Sequence, residues 1–261
     1  MDSVPRTSEL SGPSLTVNPR TRNPQASRRP LTEGSGTSRH AKVVAPPSEG
    51  ARRGLNVAVA IVLLIIAMPV MIVIAVLTKL TSKGPILYRQ TRIGMDHRLP
   101  GDVPLRISRR RVCDLGGRPF VIYKFRTMRT DAERGTGAVW AKEKDPRVTW
   151  LGGLLRQTRL DELPQLFNVL KGDMNVVGPR PERPSIFLRL ADELEDYQLR
   201  QRARPGITGL AQVSQQYDRN MDDVARKLQF DLEYVRTQSL RTDIMIMLKT
   251  IPVVLFRKGG W

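Results

Sequence analysis

The chain has 261 residues, a formal net charge of +18 at pH 7 and a sequence pI near 10.9. This length allows one catalytic domain plus appendages, and the charge indicates an anionic partner: nucleic acid, an anionic lipid leaflet or a phosphorylated substrate. A single cysteine, Cys113, excludes an internal disulfide and a cysteine-based metal site, and we expect it to be an inert thiol.

Residues 1–53 are predicted to form a disordered basic N-terminal tail. The segment contains seven prolines and no aromatic residue, and it carries nine Lys or Arg against four acids. Its arginines suit contact with anionic headgroups, although a solvated tail without a partner explains the composition equally well. A cleaved signal peptide is not expected, because the apolar stretch follows only after this long polar arm.

A membrane segment is predicted over residues 54–82. Within it, 21 residues from Val57 to Leu77 carry no charge, and at about 1.5 Å per residue they would just cross a hydrocarbon core of about 30 Å. Pro69, near the middle, predicts a break in the helix. Basic residues flank both ends and remove the asymmetry that orients a spanning helix, so a re-entrant helix is favoured over a spanning one.

The rest of the chain, residues 83–261, is predicted to be a compact, mainly α domain with a small β element. Short strands are expected at 84–88 and 120–124, and helices at 148–158, 163–171, 183–199, 224–237 and 244–256. Residues 96–115 are expected to form an exposed basic loop, with contact to the membrane or to a second subunit as the alternative. The last apolar run predicts an interfacial helix over about 241–258, or else a helix packed on the domain.

The most informative motif runs from Leu160 to Met174 and is followed closely by Gly178-Pro179-Arg180-Pro181. Its apolar residues recur with helical spacing, which predicts Asp161 and Glu162 in the cap and first turn of an amphipathic helix. Free amides and the helix dipole favour ionised carboxylates at that position, although an acidic cap alone is most often only structural.

Three basic motifs accompany these acids: Arg89–Gly94, Tyr123–Met128 and Arg204–Gly209. A carboxylate pair combined with several basic loops indicates phosphoryl transfer, in which cations spread the developing charge and an acid acts as nucleophile or holds a metal. Neither His40 nor His97 lies in such a motif, so histidine acid–base chemistry is not expected. The chain also lacks a Gly-rich phosphate-binding fingerprint.

Taken in order, these motifs resemble those of the bacterial sugar transferases, the monotopic polyprenyl-phosphate phosphoglycosyl transferases, over roughly residues 80–256. The resemblance implies that a nucleoside diphosphate sugar, expected to be a UDP-sugar, donates a sugar phosphate to polyprenyl phosphate and releases nucleoside monophosphate. It also implies a re-entrant helix-break-helix at Pro69, although the family usually has Ser where this chain has Met68. Relative to the family pattern, residues 96–115 are an insertion.

The same resemblance implies roles for individual residues. Asp161 would be the nucleophile that forms an acyl phosphate, and Asp161 and Glu162 would hold Mg²⁺. The candidates for binding substrate or phosphate are Lys124, Arg126, Arg180, Pro181, Arg204, Asp231 and Tyr234. An ordinary ion pair is the alternative for each of the basic residues, and the last two are as readily structural.

The expected partners are polyprenyl phosphate, a nucleotide sugar and anionic membrane lipids, without nucleic acid; a homodimer is left open. The resemblance implies the bacterial inner membrane, with the catalytic domain on the cytoplasmic face, and the first membrane step of cell-surface glycan assembly such as exopolysaccharide. Two rival functions remain: a membrane-tethered basic binding module, and a lipid-linked glycosyl transferase that releases nucleoside diphosphate. The nucleotide that is released distinguishes them.

Overall fold

A computed structural model describes residues 49–97, 115–132, 145–215 and 220–255, all within one unit, Ala45–Trp261. The predicted tail up to residue 48, residues 98–114 of the predicted insertion and residues 256–258 of the predicted interfacial helix lie outside the described residues.

The described residues form seven α-helices, two short 3-10 helices and four strands. In chain order the elements are α1 (Glu49–Thr81), β1 (Leu87–Ile93), β2 (Pro119–Phe125), α2 (Trp150–Gln157), a 3-10 helix (Leu160–Glu162), α3 (Gln165–Lys171), β3 (Asn175–Val177), α4 (Pro184–Glu193), a second 3-10 helix (Tyr197–Arg202), β4 (Gly206–Thr208), α5 (Leu210–Ser214), α6 (Met221–Thr237) and α7 (Leu240–Leu255). The predicted mainly α fold with a small β element is confirmed.

Helix α1 begins at Glu49, earlier than the predicted boundary at residue 54. Residues 49–53 therefore belong to the helix and not to the tail, because the buried Arg52 side chain donates to Asp243 Oδ2 at 3.1 Å. By length and composition α1 could cross a membrane. One stripe of its side chains is buried along nearly the whole helix: Arg52, Asn56, Ala60, Leu64, Met71, Ile74 and Thr78.

The backbone of α1 stays helical through Pro69, where the sequence predicts a break. Proline removes a single backbone donor, and buried residues on both sides, Leu64 and Met71, hold the helix to the domain core. The interruption expected at Pro69 is therefore not present in the secondary structure.

Strands β1 and β2 form an antiparallel pair in which Leu87 lies opposite Phe125. β2 agrees with the prediction, whereas β1 begins later, so most of the motif Arg89–Gly94 is strand and not turn. The Arg89 guanidinium lies 5.9 Å from the centre of the Tyr123 ring, directly across the ladder. This cation–π contact favours the longer pairing.

Strands β3 and β4 form a parallel pair, with Val177 opposite Thr208. Each strand has three residues, too few for a hydrophobic pattern, and the sequence does not predict them. Gly178 and Gly206 allow the close approach of the two segments, since a Cβ on Gly206 would overlap the Gly178 backbone nitrogen. β3 leads directly towards Arg180.

The main apolar core lies between α1, β2, α2, α3 and β3, and a second cluster joins α4, the second 3-10 helix and α6. The predicted helix 183–199 is interrupted here, because α4 ends at Glu193 and Asp196 adopts a left-handed φ of 62°. Asp tolerates this conformation better than most residues. The break turns Tyr197 back onto Phe187, with ring centres 5.5 Å apart.

Candidate active site

Both acids of the central motif lie in the 3-10 helix Leu160–Glu162 between α2 and α3. Helix α3 begins only at Gln165, so the prediction that the acids occupy its cap and first turn is wrong. Pro164 explains the offset, because it has no amide hydrogen with which to continue the helix from the preceding turn. Arg159, just before the acids, has a left-handed φ of 56°, a costly conformation that the surrounding structure must hold.

The buried Glu162 carboxylate is held by two cations. Lys124 Nζ donates to Oε1 at 2.8 Å, and Arg180 donates through Nη2 to Oε1 at 2.5 Å and through Nη1 to Oε2 at 3.2 Å. Burial alone raises the pKa of the Glu162 carboxyl, but the charges and hydrogen bonds of Arg180 and Lys124 outweigh it and hold this pKa well below its usual value. Glu162 is therefore a fixed, ionised counter-ion.

Asp161 has a different environment. It is 7% exposed, and within the described part of the chain its carboxylate accepts no hydrogen bond. Burial and the negative charge of Glu162 raise the pKa of the Asp161 carboxyl, because the opposing charges of Lys124, Arg180 and Arg156 do not fully offset them. A carboxylate that is neither well solvated nor paired is available to attack an electrophile.

The two acids line a cavity of about 900 Å³, whose walls come from β1, β2, α2, α4, α5 and α6. Among the described residues, eleven Lys and Arg side chains line it against four Asp and Glu. Its volume is within the usual range for small-molecule sites and exceeds that of a single phosphate group. The size and the charge together suit an anionic substrate with more than one phosphate.

Arg180 is positioned by Arg200, whose Nη2 donates to the Arg180 carbonyl oxygen at 2.8 Å. Asp231 orients Arg200 in turn, with Arg200 Nε 2.9 Å from Asp231 Oδ2. Arg200 Nη1 also donates to the Tyr197 hydroxyl at 2.9 Å. Asp231 lines the cavity as predicted for a site residue, but its contact within the chain acts through Arg200 on Arg180.

Glu182 is the centre of a second group of cations on the cavity wall. Arg92 and Arg200 each approach it to 3.8 Å, and Lys227 approaches to 3.7 Å. Arg92 also donates to the Pro181 carbonyl oxygen at 2.9 Å, and burial lowers the Arg92 pKa to about 10. Pro181 does not itself line the cavity, so its predicted contact with substrate is not supported by its position.

Arg126 lines the cavity, but its guanidinium is already engaged. Nη1 donates to the Lys83 carbonyl oxygen at 2.6 Å, and Nη2 donates to the Ser82 carbonyl oxygen at 2.8 Å and to Ser82 Oγ at 2.6 Å. Both acceptor residues directly follow α1. Arg126 thus joins the end of β2 to the end of the apolar helix, a contact that differs from the phosphate contact that we predicted for it.

The structure does not bring Arg204 or Tyr234 to the cavity wall. Arg204 donates to the Gly172 carbonyl oxygen at 2.9 Å and pairs with Glu49 at 3.0 Å, so its guanidinium ties α3 to the start of α1. The predicted role of Arg204 as a phosphate clamp is therefore not supported by its position. Tyr234 is 1% exposed, and its hydroxyl lies 2.8 Å from Asp243 Oδ1, which makes its contacts structural.

Sequence reasoning missed Arg156. This residue lies in the last turn of α2 and lines the cavity, and its guanidinium makes no hydrogen bond or ion pair with any other described residue. Its charge is one of those that lower the pKa of Asp161. The available signal was its position at the end of a predicted helix just before the acid pair.

The two acids differ in how well they fit Mg²⁺. Asp161 offers oxygens without a partner among the described residues, which suits a hard cation that binds through one or two carboxylates together with substrate phosphates and water. Glu162 does not fit, because both of its oxygens already accept from Lys124 or Arg180. No cluster of three or more His, Cys, Asp or Glu residues that could hold a metal occurs in the described part of the chain.

Comparison with known proteins matches the bacterial sugar transferase family over residues 48–257. The UDP-N-acetylgalactosamine-undecaprenyl-phosphate N-acetylgalactosaminephosphotransferase of Aeromonas hydrophila is 39% identical over 209 residues, which cover 80% of this chain and 44% of that protein. The UDP-glucose:undecaprenyl-phosphate glucose-1-phosphate transferase of Escherichia coli (strain K12) is 37% identical over 202 residues, 77% of this chain and 39% of the relative.

This chain therefore spans less than half the length of those two relatives. The exopolysaccharide production protein ExoY of Rhizobium meliloti (strain 1021) is 36% identical over 222 residues, which cover 84% of this chain and 91% of that protein. The family match extends across α1, the acid pair and every wall of the cavity. The chain belongs to the bacterial sugar transferase family.

Proposed function

We propose that this protein transfers a sugar phosphate from a nucleoside diphosphate sugar to polyprenyl phosphate, giving polyprenyl-diphosphate sugar and nucleoside monophosphate. The observation that carries the proposal is the buried carboxylate of Asp161, which accepts no hydrogen bond from any described residue, beside a Glu162 fixed by two cations, in a cavity with surplus positive charge. The printed names of the relatives specify UDP-sugars and undecaprenyl phosphate, which supports a UDP-sugar as donor.

In the first step, a carboxylate oxygen of Asp161 attacks the phosphorus that carries the sugar. A P–O bond forms to Asp161, the P–O bond to the nucleotide breaks, and its electron pair leaves with the nucleoside monophosphate. Three cations lie near Asp161 and favour its ionised form: Lys124, Arg180 and Arg156. Their positive charge also stabilises the negative charge that develops on the phosphoryl oxygens.

In the second step, an oxygen of polyprenyl phosphate attacks the same phosphorus. The P–O bond to Asp161 breaks, and its electron pair restores the carboxylate. Glu162 stays ionised through both steps, because Arg180 and Lys124 stabilise its charge. Its role is to hold these two cations beside the reacting phosphorus without exchanging a proton.

We extend the proposal to Mg²⁺, with Asp161 as the protein ligand alongside substrate phosphates. When bound, the ion would supply positive charge that reduces the repulsion between a carboxylate and an anionic donor. Glu162, which the sequence predicts as a second ligand, is omitted because its oxygens are already bonded to cations.

For α1 we propose a re-entrant placement, with both ends on the cytoplasmic face. Both ends contact the same unit: Arg52 near the start pairs with Asp243, and Ser82 just after the end accepts from Arg126. A crossing would carry one end about 30 Å away from its partners. Between the ends lie apolar side chains that suit lipid, among them Ile65, Ile66, Ile72 and Val73.

We propose that α7 lies in the membrane interface, as the sequence predicts for residues 241–258. Its exposed apolar residues are Ile244, Met245, Leu248, Ile251 and Val254. The protein would then act at the cytoplasmic face of the bacterial inner membrane, in the first membrane step of cell-surface glycan assembly. A homodimer and membrane contact by residues 96–115 stay predictions.

The test uses the full chain in detergent with Mg²⁺ and a UDP-sugar that carries ³²P in the phosphate next to the sugar. Without acceptor, we expect release of UMP and label retained on Asp161, located by mass spectrometry. Addition of undecaprenyl phosphate should move the label into lipid. Asp161→Asn should retain no label, whereas the matched control Asp173→Asn, whose side chain is off the cavity wall, should label normally.

Other outcomes would support the rival functions. Release of UDP would indicate transfer of the sugar alone. Absence of turnover together with salt-sensitive binding of nucleic acid would indicate a membrane-tethered basic module. Label on a residue other than Asp161 would remove it from the role of nucleophile.

A further inference from the structure

We propose that Asn56 and Arg126 are positioning residues through which the apolar helix α1 sets the geometry of the acid pair. Asn56, near the start of α1, binds the strand that leads to Arg180. Arg126, at the end of the strand that carries Lys124, binds the chain just after α1. The two cations that hold Glu162 are thus tied to opposite ends of one helix. The inference rests on the function proposed above.

The Asn56 side chain is fully buried and uses both ends of its amide. Nδ2 donates to the Arg52 carbonyl oxygen at 2.7 Å, and Oδ1 accepts from the Val176 backbone N–H at 2.6 Å. Val176 is the middle residue of β3, between the two residues that pair with β4. A buried amide on an apolar helix is costly unless its groups are paired, and here its acceptor is committed to the strand before Arg180.

A second contact fixes the carbonyl side of the same strand. The Tyr234 hydroxyl lies 3.1 Å from the Val177 carbonyl oxygen, and Arg52 Nη2 donates to that hydroxyl at 2.7 Å. Arg52 also pairs with the fully buried Asp243. The start of α1 therefore holds β3 directly through Asn56 and indirectly through Tyr234, so the position of the helix determines where Arg180 leaves the strand.

At the other end, Arg126 forms a closely fitted junction. Its two Nη atoms are bonded to Ser82 and Lys83, and its side chain lies under the turn at Gly84. Gly84 has φ 124°, and a Cβ there would overlap Arg126 Nη1, so the turn leaves room only for the guanidinium. Arg126 follows Lys124 by two residues, which places both side chains on the same side of an extended chain.

The contacts make a selective prediction. Substitution of Asn56 should displace Arg180 and leave Lys124 in place. Substitution of Arg126 should displace Lys124 and leave Arg180 in place. A general loss of stability would affect both cations alike. The two cases are separated by double-mutant cycles, in which coupling appears as non-additive effects.

The experiment measures kcat and KM for the donor in the full chain in nanodiscs. Asn56→Leu is expected to lower kcat roughly tenfold, with little change in KM, in the wild type and in a Lys124→Ala background, because it misplaces a charged group at the reacting centre. In an Arg180→Ala background its effect should fall below about twofold. Arg126→Lys should show the mirror pattern: a full effect with Arg180→Ala and little effect with Lys124→Ala.

Thr78→Val is the matched control on α1. Thr78 belongs to the same buried stripe, and its hydroxyl has no hydrogen-bond partner among the described residues. We expect Thr78→Val to leave kcat unchanged in the wild type and in each of the two alanine backgrounds. If Asn56→Leu fails to accumulate, the Arg126→Lys cycles decide the inference by themselves.

Equal effects of each variant in both backgrounds, or no effect on kcat, would overturn the inference. That outcome differs from failure of the proposed function. If the wild type gives neither UMP nor labelled Asp161, the function is wrong; if it gives both and the cycles are additive, only the positioning role is wrong.

Discussion

Arg180 and Glu162 form a two-point ion pair, in which two nitrogens of one guanidinium bond both carboxylate oxygens, at 2.5 and 3.2 Å. Because Lys124 adds a third bond, Glu162 has a fixed charge and a fixed orientation. Its neighbour Asp161 accepts no hydrogen bond from any described residue, and burial raises its pKa. Two adjacent acids with opposite environments suit two different tasks, one holding cations and the other attacking phosphorus.

We expect Asp161→Asn to abolish turnover without lowering the unfolding temperature at pH 7. Burial raises the pKa of Asp161 in the folded state, so ionisation costs folding free energy as the pH rises through that pKa. A neutral amide of similar shape removes this cost. Thermal unfolding in detergent, measured beside UMP release, tests the pair of effects; a large loss of stability would contradict the assigned environment.

Glu162→Gln should lower the free energy of unfolding at pH 7 by about 3 kcal/mol, because it leaves two partly buried cations without a counter-charge. The pKa of Glu162 is depressed in the folded state, so its contribution is present above the unfolded pKa and is lost as the pH falls through the folded value. The difference from wild type should therefore shrink in acid. Glu193→Gln, in an exposed pair with Arg189, is the matched control and should change stability by less than about 0.5 kcal/mol.

The acid limb of the pH–rate profile should move to higher pH in Arg156→Gln. Asp161, as the proposed nucleophile, must be ionised; burial already raises its pKa, and Arg156 is one of the charges that lower it. Removing that charge raises the pKa further, so activity is lost at a higher pH as the solution is acidified. Arg189→Gln removes an exposed cation and should leave the limb in place. A limb that shifts equally in both variants would mean that net charge alone is responsible.

Arg180→Ala and Arg204→Ala should differ in their effect on kcat, although both arginines lie in motifs that predict phosphate binding. Arg180 lies at the cavity and its charge acts on Asp161, and losing one transition-state contact to a phosphoryl oxygen costs roughly 3 kcal/mol of barrier, or about a hundredfold in kcat. Arg204 pairs with an exposed Glu49, and such pairs contribute about 1 kcal/mol or less to stability. Steady-state kinetics on both variants test this difference. A hundredfold loss of kcat in Arg204→Ala would show that Arg204 takes part in the reaction.

Removal of Mg²⁺ with a chelator should stop labelling of Asp161, and added Mn²⁺, which prefers the same oxygen ligands, should restore it. Because Glu162 is bonded to cations, Glu162→Gln should need no more Mg²⁺ than the wild type for half-maximal labelling. A strong rise in the Mg²⁺ requirement of this variant would make Glu162 a metal ligand after all.

Local pattern was sufficient for much of the fold. Helical spacing predicted α2, α3, α6 and α7 near their observed positions, and the motif containing Lys124 correctly ended a strand. The short strands β3 and β4 were not predicted, since strands of three residues have no periodicity to detect. The start of α1 at Glu49 was not predicted either, because it depends on a contact between Arg52 and Asp243, which are 191 residues apart.

The part of the site in which residues of different sequence motifs contact one another could be predicted from the sequence. Asp161, Glu162, Lys124 and Arg180 come together as expected, because each motif is short and its element is rigid. The position of Arg204 away from the cavity was not predictable, because a motif shows that a guanidinium is present and not where it points. Its partner, the carbonyl oxygen of Gly172, is visible only once the chain is folded.

Helix α1 supplies Ala60, Leu64, Met71 and Ile74 to the main core, so it is more than an anchor. During synthesis the ribosome completes this helix long before its partners near Asp243 emerge, so in the proposed re-entrant placement α1 would enter lipid first. The rest of the domain, which is synthesised later, would then fold against a helix that is already in the bilayer. A truncated chain that starts beyond Thr81 would lack one wall of its interior and should be recovered as aggregate.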